Sequence, residues 1–145
     1  MEVEGFELRE DLYYDPWGAY IWAKVEGDMV IVGITPLGVA VAKDFAYMEL
    51  PFEGDEVKQE EAFGVIETIK ATGELLAPVS GEVTEVNEEV RSDPAAIKEA
   101  PYEKWLIKIK PSNLEEELKN LMDFEKAKEW YAEEIKKLRE DEVIE

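Results

Sequence analysis

The chain has 145 residues, 46% of them hydrophobic, with neither cysteine nor histidine. That is enough apolar material for one core, so wholesale disorder is excluded; the missing residue types exclude disulfides, thiolate nucleophiles, sulfur-ligated metals and Ser–His or Cys–His catalysis. Its 36 acidic against 16 basic residues, a formal net charge of -20, would repel a phosphate backbone or an anionic leaflet, so neither nucleic acid nor membrane is an expected partner.

No apolar run approaches the roughly 18–20 residues that cross a bilayer. The acidic start MEVEGFELRED lacks the basic and apolar stretches of a secretory signal. The expectation is a cytoplasmic monomer. Carboxylate-only chemistry survives the exclusions, but versatile reactivity would have to arrive on a prosthetic group. The acidic surface suits brief docking on basic patches of larger enzymes, or simply solubility.

In chain order, residues 20–26 alternate, with Ile21, Ala23 and Val25 on one face. Gly27-Asp28 turns the chain, and Val30, Val32 and Ile34 resume the alternation, which predicts a hairpin. Thr35 followed by Pro36 opens a short helix over 36–43, and residues 44–50 return to a strand that stops at Pro51. Gly54-Asp55 marks a turn. Phe63 to Ile69 reads as a strand, 70–73 as a tight reversal, 75–77 as a short strand, 78–81 as a turn and 82–86 as a further strand. Short strands at this spacing indicate a small sandwich or barrel. Ser92-Asp93-Pro94 caps a brief helix through Ala100, and residues 105–110 alternate with Trp105, Ile107 and Ile109 inward.

After Pro111 the composition shifts. Asn113 is placed to cap a helix over 114–121, and a break near Asp123 precedes a longer helix over 124–140. Phe124, Ala127, Trp130, Tyr131, Ile135 and Leu138 lie at helical spacing on the latter, a stripe that docks on the body rather than binding a ligand. The expected fold is mainly β with helices (α+β): one domain over 1–145, with a β body over about 12–111 and a C-terminal helical segment over about 112–140.

Lys70 is the informative residue. It stands between an apolar strand and a glycine-bearing reversal, where an amine is exposed and its backbone fixed by paired strands. Taken alone it is one solvated turn lysine among several. Its neighbours change that. Gly64-Val65-Ile66-Glu67-Thr68-Ile69-Lys70-Ala71, then Ala77-Pro78-Val79-Ser80-Gly81-Glu82-Val83 and Val86-Asn87, resemble the lipoyl-domain pattern. Over about residues 12–131 the chain is similar to the H proteins of the glycine cleavage system. Further matches are Val25-Glu26-Gly27-Asp28, Val32-Gly33-Ile34-Thr35, Gly54-Asp55-Glu56-Val57 and Trp105-Leu106-Ile107-Lys108-Ile109-Lys110-Pro111.

The resemblance implies a barrel-sandwich hybrid of the lipoyl type, with lipoate in amide linkage to Lys70 and with Glu67, Thr68, Ile69 and Ala71 as flanking recognition residues. No catalytic residue and no metal ligand is implied. A lipoate ligase or lipoyltransferase would attach the group. The chain would then be a carrier rather than an enzyme, shuttling an aminomethyl group between glycine decarboxylase, aminomethyltransferase and dihydrolipoamide dehydrogenase. Biotinyl domains, similar in architecture, present Ala-Met-Lys-Met at the tip, whereas Lys70 lies between Ile69 and Ala71.

The chain also departs from the family pattern. A family His-Glu-Trp aligned on Trp22 places Tyr20 and Ile21 at the His and Glu, and Pro16-Trp17-Gly18 is insertion-like in the same region. Two other readings therefore stand beside the first: an H-like lipoate carrier serving sulfur oxidation or another lipoate-dependent route, and an unmodified acidic adaptor.

Overall fold

Short alternating segments build most of this chain into strands. The structure, a computed structural model, describes residues 1–69 and 71–145. The strands are β1 (Glu2–Val3), β2 (Phe6–Glu7), β3 (Tyr13–Tyr14), β4 (Ile21–Glu26), β5 (Met29–Ile34), β6 (Phe45–Glu49), β7 (Glu56–Val57), β8 (Ala62–Thr68), β9 (Thr72–Leu76), β10 (Gly81–Val86) and β11 (Ile107–Pro111). The helices are α1 (Pro36–Ala42), α2 (Glu88–Ser92), α3 (Leu114–Leu118) and α4 (Phe124–Glu140), with a 3-10 helix at Pro94–Glu99. All pairing is antiparallel, in a sheet ordered β3-β4-β5-β11-β10-β7, a sheet ordered β6-β8-β9, and the small β1-β2 ribbon.

The two larger sheets close on one core. Ile21, Ala23, Val30, Val32 and Ile34 from β4 and β5 meet Phe45, Met48, Phe63 and Leu75 from the three-stranded sheet. Val83, Val86, Ile107 and Ile109 join from β10 and β11. This is the mainly β, barrel-sandwich arrangement expected of a lipoyl-type fold.

The opposite face of β4 and β5 is buried too, because Trp22 belongs to a second core. Trp22 lies across from Gly33, where a Cβ would sit 2.3 Å from the indole, so a side chain there would displace the ring. The indole N–H donates to the carbonyls of Ile34 and Pro101. Around it gather Leu8, Leu12, Tyr14 and Leu37 with Phe124, Ala127, Tyr131 and Ile135 of α4. The helix thus docks by its apolar stripe, although Trp130 and Leu138 are only half-buried. Its start is fixed by Asp123, whose carboxylate accepts the Lys126 N–H at 3.0 Å. Thr35 does the same for α1 through the Gly38 N–H.

Several local expectations shift. Thr72 and Gly73 lie in β9 rather than in the reversal, because cross-strand pairing continues to Glu67↔Thr72. A turn of helix, α2, precedes the expected one; Asn87 caps it through the Glu89 N–H, and Ser92 ends it instead of opening the next. Neither Asp93 nor Asn113 makes a side-chain cap bond, and α3 stops at Leu118. Trp105 is half-buried while Leu106 is sealed, since Leu106 bonds through its backbone to Val32 and Asn87 before β11 begins.

Candidate functional site

The β8–β9 hairpin carries the residues singled out by sequence. β8 is held on its other edge by β6, with Phe45↔Thr68 and Tyr47↔Glu67 opposite one another. Gly64 makes that approach possible: a Cβ there would lie 2.4 Å from the Glu49 carbonyl oxygen. Toward the hairpin end the Thr68 N–H donates to the Ala71 carbonyl at 2.8 Å. The Thr68 hydroxyl doubles this closure, accepting from the Ala71 N–H at 3.1 Å and donating to the Ala71 carbonyl at 3.2 Å. A hydroxyl at this position therefore clamps the turn, as Ser or Thr does in other tight reversals.

Ile69 is 79% exposed, and Glu67 and Ala71 are exposed as well. Glu67, Thr68, Ile69 and Ala71 are thus brought together around one closed turn. Lys70, the fifth residue of the set, lies outside the described residues. Among the described residues no group of three or more His, Cys, Asp or Glu side chains is placed to hold a metal ion.

Two shallow grooves adjoin the hairpin end. One, of about 270 Å³, runs between Ala19, Tyr20 and Val41 on one wall and Ile66, Thr68 and Leu75 on the other. The second, of about 260 Å³, lies between Ala42 and Asp44 on one side and Thr68, Ile69 and Ala71 on the other, with Val143 beside them.

Residues 15–20, where Tyr20 stands in the place of a family His, contribute Gly18, Ala19 and Tyr20 to the far wall of the first groove. Sequence reasoning did not find what holds this loop. Asp15 is 1% exposed, and its carboxylate accepts the N–H groups of Trp17 and Ala19, each at 3.0 Å, and of Ile21 at 2.6 Å. Burial pushes its pKa above the ordinary carboxylate value while those N–H donors pull it back. Asp followed by Pro and Gly is an Asx-turn signal that could have located it. Tyr20 adopts a left-handed backbone with φ 58°, packs on Trp130, and donates its hydroxyl to the Glu134 carboxylate. Burial, reinforced by Glu134, holds that phenol above its ordinary pKa. Helix α4 thereby braces the groove wall.

A two-sheet barrel sandwich presenting a clamped, exposed β-hairpin defines the lipoyl-type class of folds. The comparisons narrow the class. The family model described as glycine cleavage H-protein matches residues 12–134. A "Probable glycine cleavage system H protein" of Pyrococcus abyssi is 50% identical over 139 residues, covering 95% of this chain and 99% of that protein. The glycine cleavage system H protein of Halalkalibacterium halodurans is 46% identical over 114 residues, 78% of this chain and 88% of that one. The crystal structure of a glycine cleavage system H protein from Mycobacterium marinum superposes with a TM-score of 0.74 at 30% identity, covering 88% of this chain and 98% of that one. The chain belongs to the glycine cleavage H-protein family.

Proposed function

We propose that this chain is a lipoyl carrier: lipoate is joined in amide linkage to Lys70, and the loaded arm visits other enzymes. The observation that carries the reading is the clamp between Thr68 and Ala71, which stiffens the hairpin where the family motif carries its modified lysine while leaving Ile69 in solvent. A rigid base under a long tether raises the effective concentration of the tethered group at each partner. The absence of cysteine fits the same role, because no chain thiol competes for the sulfur chemistry.

When attached, lipoate supplies a disulfide–dithiol couple that accepts an aminomethyl group and electrons. The chain itself supplies position. Glu67, Thr68, Ile69 and Ala71 are the surface that the attaching enzyme, a lipoate ligase or lipoyltransferase, reads around Lys70. In this reading residues 1–145 act as one carrier domain, monomeric and cytoplasmic. Its partners are glycine decarboxylase, aminomethyltransferase and dihydrolipoamide dehydrogenase, and it catalyses nothing alone.

The test is intact mass after incubation with lipoate, ATP and a lipoate–protein ligase. One lipoyl group is expected on the native chain and none on Lys70→Arg. No gain on the native chain, or an equal gain on the variant, overturns the reading. Loading of the lipoylated chain by a glycine decarboxylase then tests the glycine cleavage role, and failure to load would move the carrier to another lipoate-dependent route.

A further inference from the structure

The outer face of the three-stranded sheet carries an exposed aromatic side chain, Tyr47, among exposed carboxylates. Cross-strand register arranges it as two rows: Tyr47, Glu67 and Thr72, then Glu49, Val65 and Glu74. Residues between them point the other way, with Met48 and Leu75 each 2% exposed in the core. Neighbouring side chains in such rows stand about 5 Å apart across strands and about 7 Å apart along them, so the six form one continuous surface.

Two independent features mark this surface as an interface. The first is apolar. The large hydrophobic side chains left exposed among the described residues are Met1, Tyr47 at 52%, Phe52 at 67% and Ile69 at 79%. Tyr47 lies on this sheet and Ile69 at its hairpin end, whereas Phe52, in the loop leaving β6, has the Arg91 guanidinium stacked 4.7 Å over its ring. The second is electrostatic. Glu49, Glu67 and Glu74 are exposed and stand beside Tyr47 in these rows; among the described residues none of them has a cation within ion-pair distance, a condition they share with Glu129 and Glu133 of α4. An aromatic side chain ringed by unpaired carboxylates fits a protein surface that offers an apolar pocket with a Lys/Arg rim. A second copy of this chain is a poor occupant, because the same carboxylates would meet across the two-fold.

We infer that this face is the landing surface for the enzyme that acylates Lys70, and that Tyr47 is its apolar anchor. The inference rests on the carrier reading. It singles out the acylating enzyme because that enzyme must bring its active site to the hairpin backbone itself. A standard interface covers about 800 Å² per partner, so its footprint extends from the hairpin end onto the adjoining strands. Enzymes that act later meet the end of a tether and are not bound to dock there.

The experiment measures acylation kinetics with lipoate, ATP and a lipoate–protein ligase, varying the concentration of the chain and of salt. Three proteins are compared with the native one: Tyr47→Ala, the pair Glu49→Lys with Glu74→Lys, and a control pair Glu129→Lys with Glu133→Lys on the exposed side of α4, which changes net charge equally. Glu67 is left intact because it belongs to the recognition set. Tyr47→Ala is expected to raise KM about five- to tenfold with kcat unchanged, the size typical of a buried aromatic anchor. The β-face pair should raise KM and flatten its salt dependence, while the control pair changes neither as much. Thermal melts confirm that each protein is folded; the charge pair carries the test if Tyr47→Ala is not. Native-like KM in both β-face variants overturns the landing surface and leaves the carrier reading standing. Equal effects of the two charge pairs also overturn it, since net charge alone would then be acting. Failure of the native chain to be acylated removes the carrier reading, and this inference with it.

Discussion

The loop 15–20 and the end of the β8–β9 hairpin line the same groove, yet they are held in opposite ways. The loop is pinned from within. Asp15 gathers three backbone N–H groups, and α4 grips Tyr20 from behind through Glu134 and Trp130. The hairpin end is pinned from without, among the described residues by strand pairing and the Thr68 clamp, and it leaves Ile69 and Ala71 in water. Backbone bonds can make a turn stiff while its side chains remain accessible. Buried polar anchors make a wall stiff at the cost of accessibility. A site of covalent attachment needs the first kind of rigidity, and the surface beside it needs the second.

If this contrast is right, the largest losses of stability come from behind the wall. Tyr131 is fully buried, edge-on to Tyr14 at 5.7 Å and beside Thr35. Removing such a ring typically costs about 3–5 kcal/mol, so Tyr131→Ala is expected to lower Tm by roughly 10 °C or more at this chain length. A calorimetric scan showing a small shift would mean that α4 is a passenger, and the comparison would fail.

Asp15→Asn comes next. The amide cannot accept from all three N–H groups, and leaving a buried donor unpaired costs about 1–3 kcal/mol. The pH dependence has a definite sign. Burial raises the folded-state pKa of Asp15, so its titration contributes stability that is fully present below the ordinary carboxylate value and declines as pH rises through the raised one. The gap in Tm between the native chain and Asp15→Asn should therefore widen on acidification. A gap that narrows would show that the three N–H donors outweigh burial.

These two residues also show where sequence is legible. The hairpin of β4 and β5, the capped α1 and the stripe of α4 rest on local period and local caps, and tertiary contacts agree with them. The strand ending at Thr68 was readable from its apolar run, and a specific family motif coincides with it. Asp15 was readable only in part: Asp before Pro and Gly signals an Asx turn, but an acidic residue there is ordinarily at the surface, and its burial at 1% exposure comes from tertiary packing. The strands β1 and β2 are two residues each; α4 holds them from outside, through Arg139 to the Glu4 carbonyl and Lys136 to the Glu4 carboxylate. Helix α2 is one short turn capped by Asn87, too short for a periodic stripe, and the Ser92-Asp93-Pro94 signal a few residues later points to the next helix instead.

On the hairpin side the expected effects on folding are smaller. Thr68→Val keeps the shape of the side chain and loses both hydroxyl bonds to Ala71, which should cost about 1 kcal/mol and speed amide exchange at Ala71. Thr68→Ser should restore protection. If both exchange alike, strand pairing alone closes the turn.

Lys70→Arg sharpens the contrast furthest. Its two chain neighbours are exposed, and substitutions at such positions change stability by no more than about 0.5 kcal/mol. Arginine keeps the positive charge but offers a guanidinium, which is not deprotonated near neutral pH and does not form the amide. Tm should be unchanged within error while acylation is abolished. A variant that melts well below the native chain would mean that the lysine is part of the packed structure, and the two regions would no longer differ in kind. Function here is expected to reside where the fold has least at stake, and this substitution measures folding and function separately on one side chain.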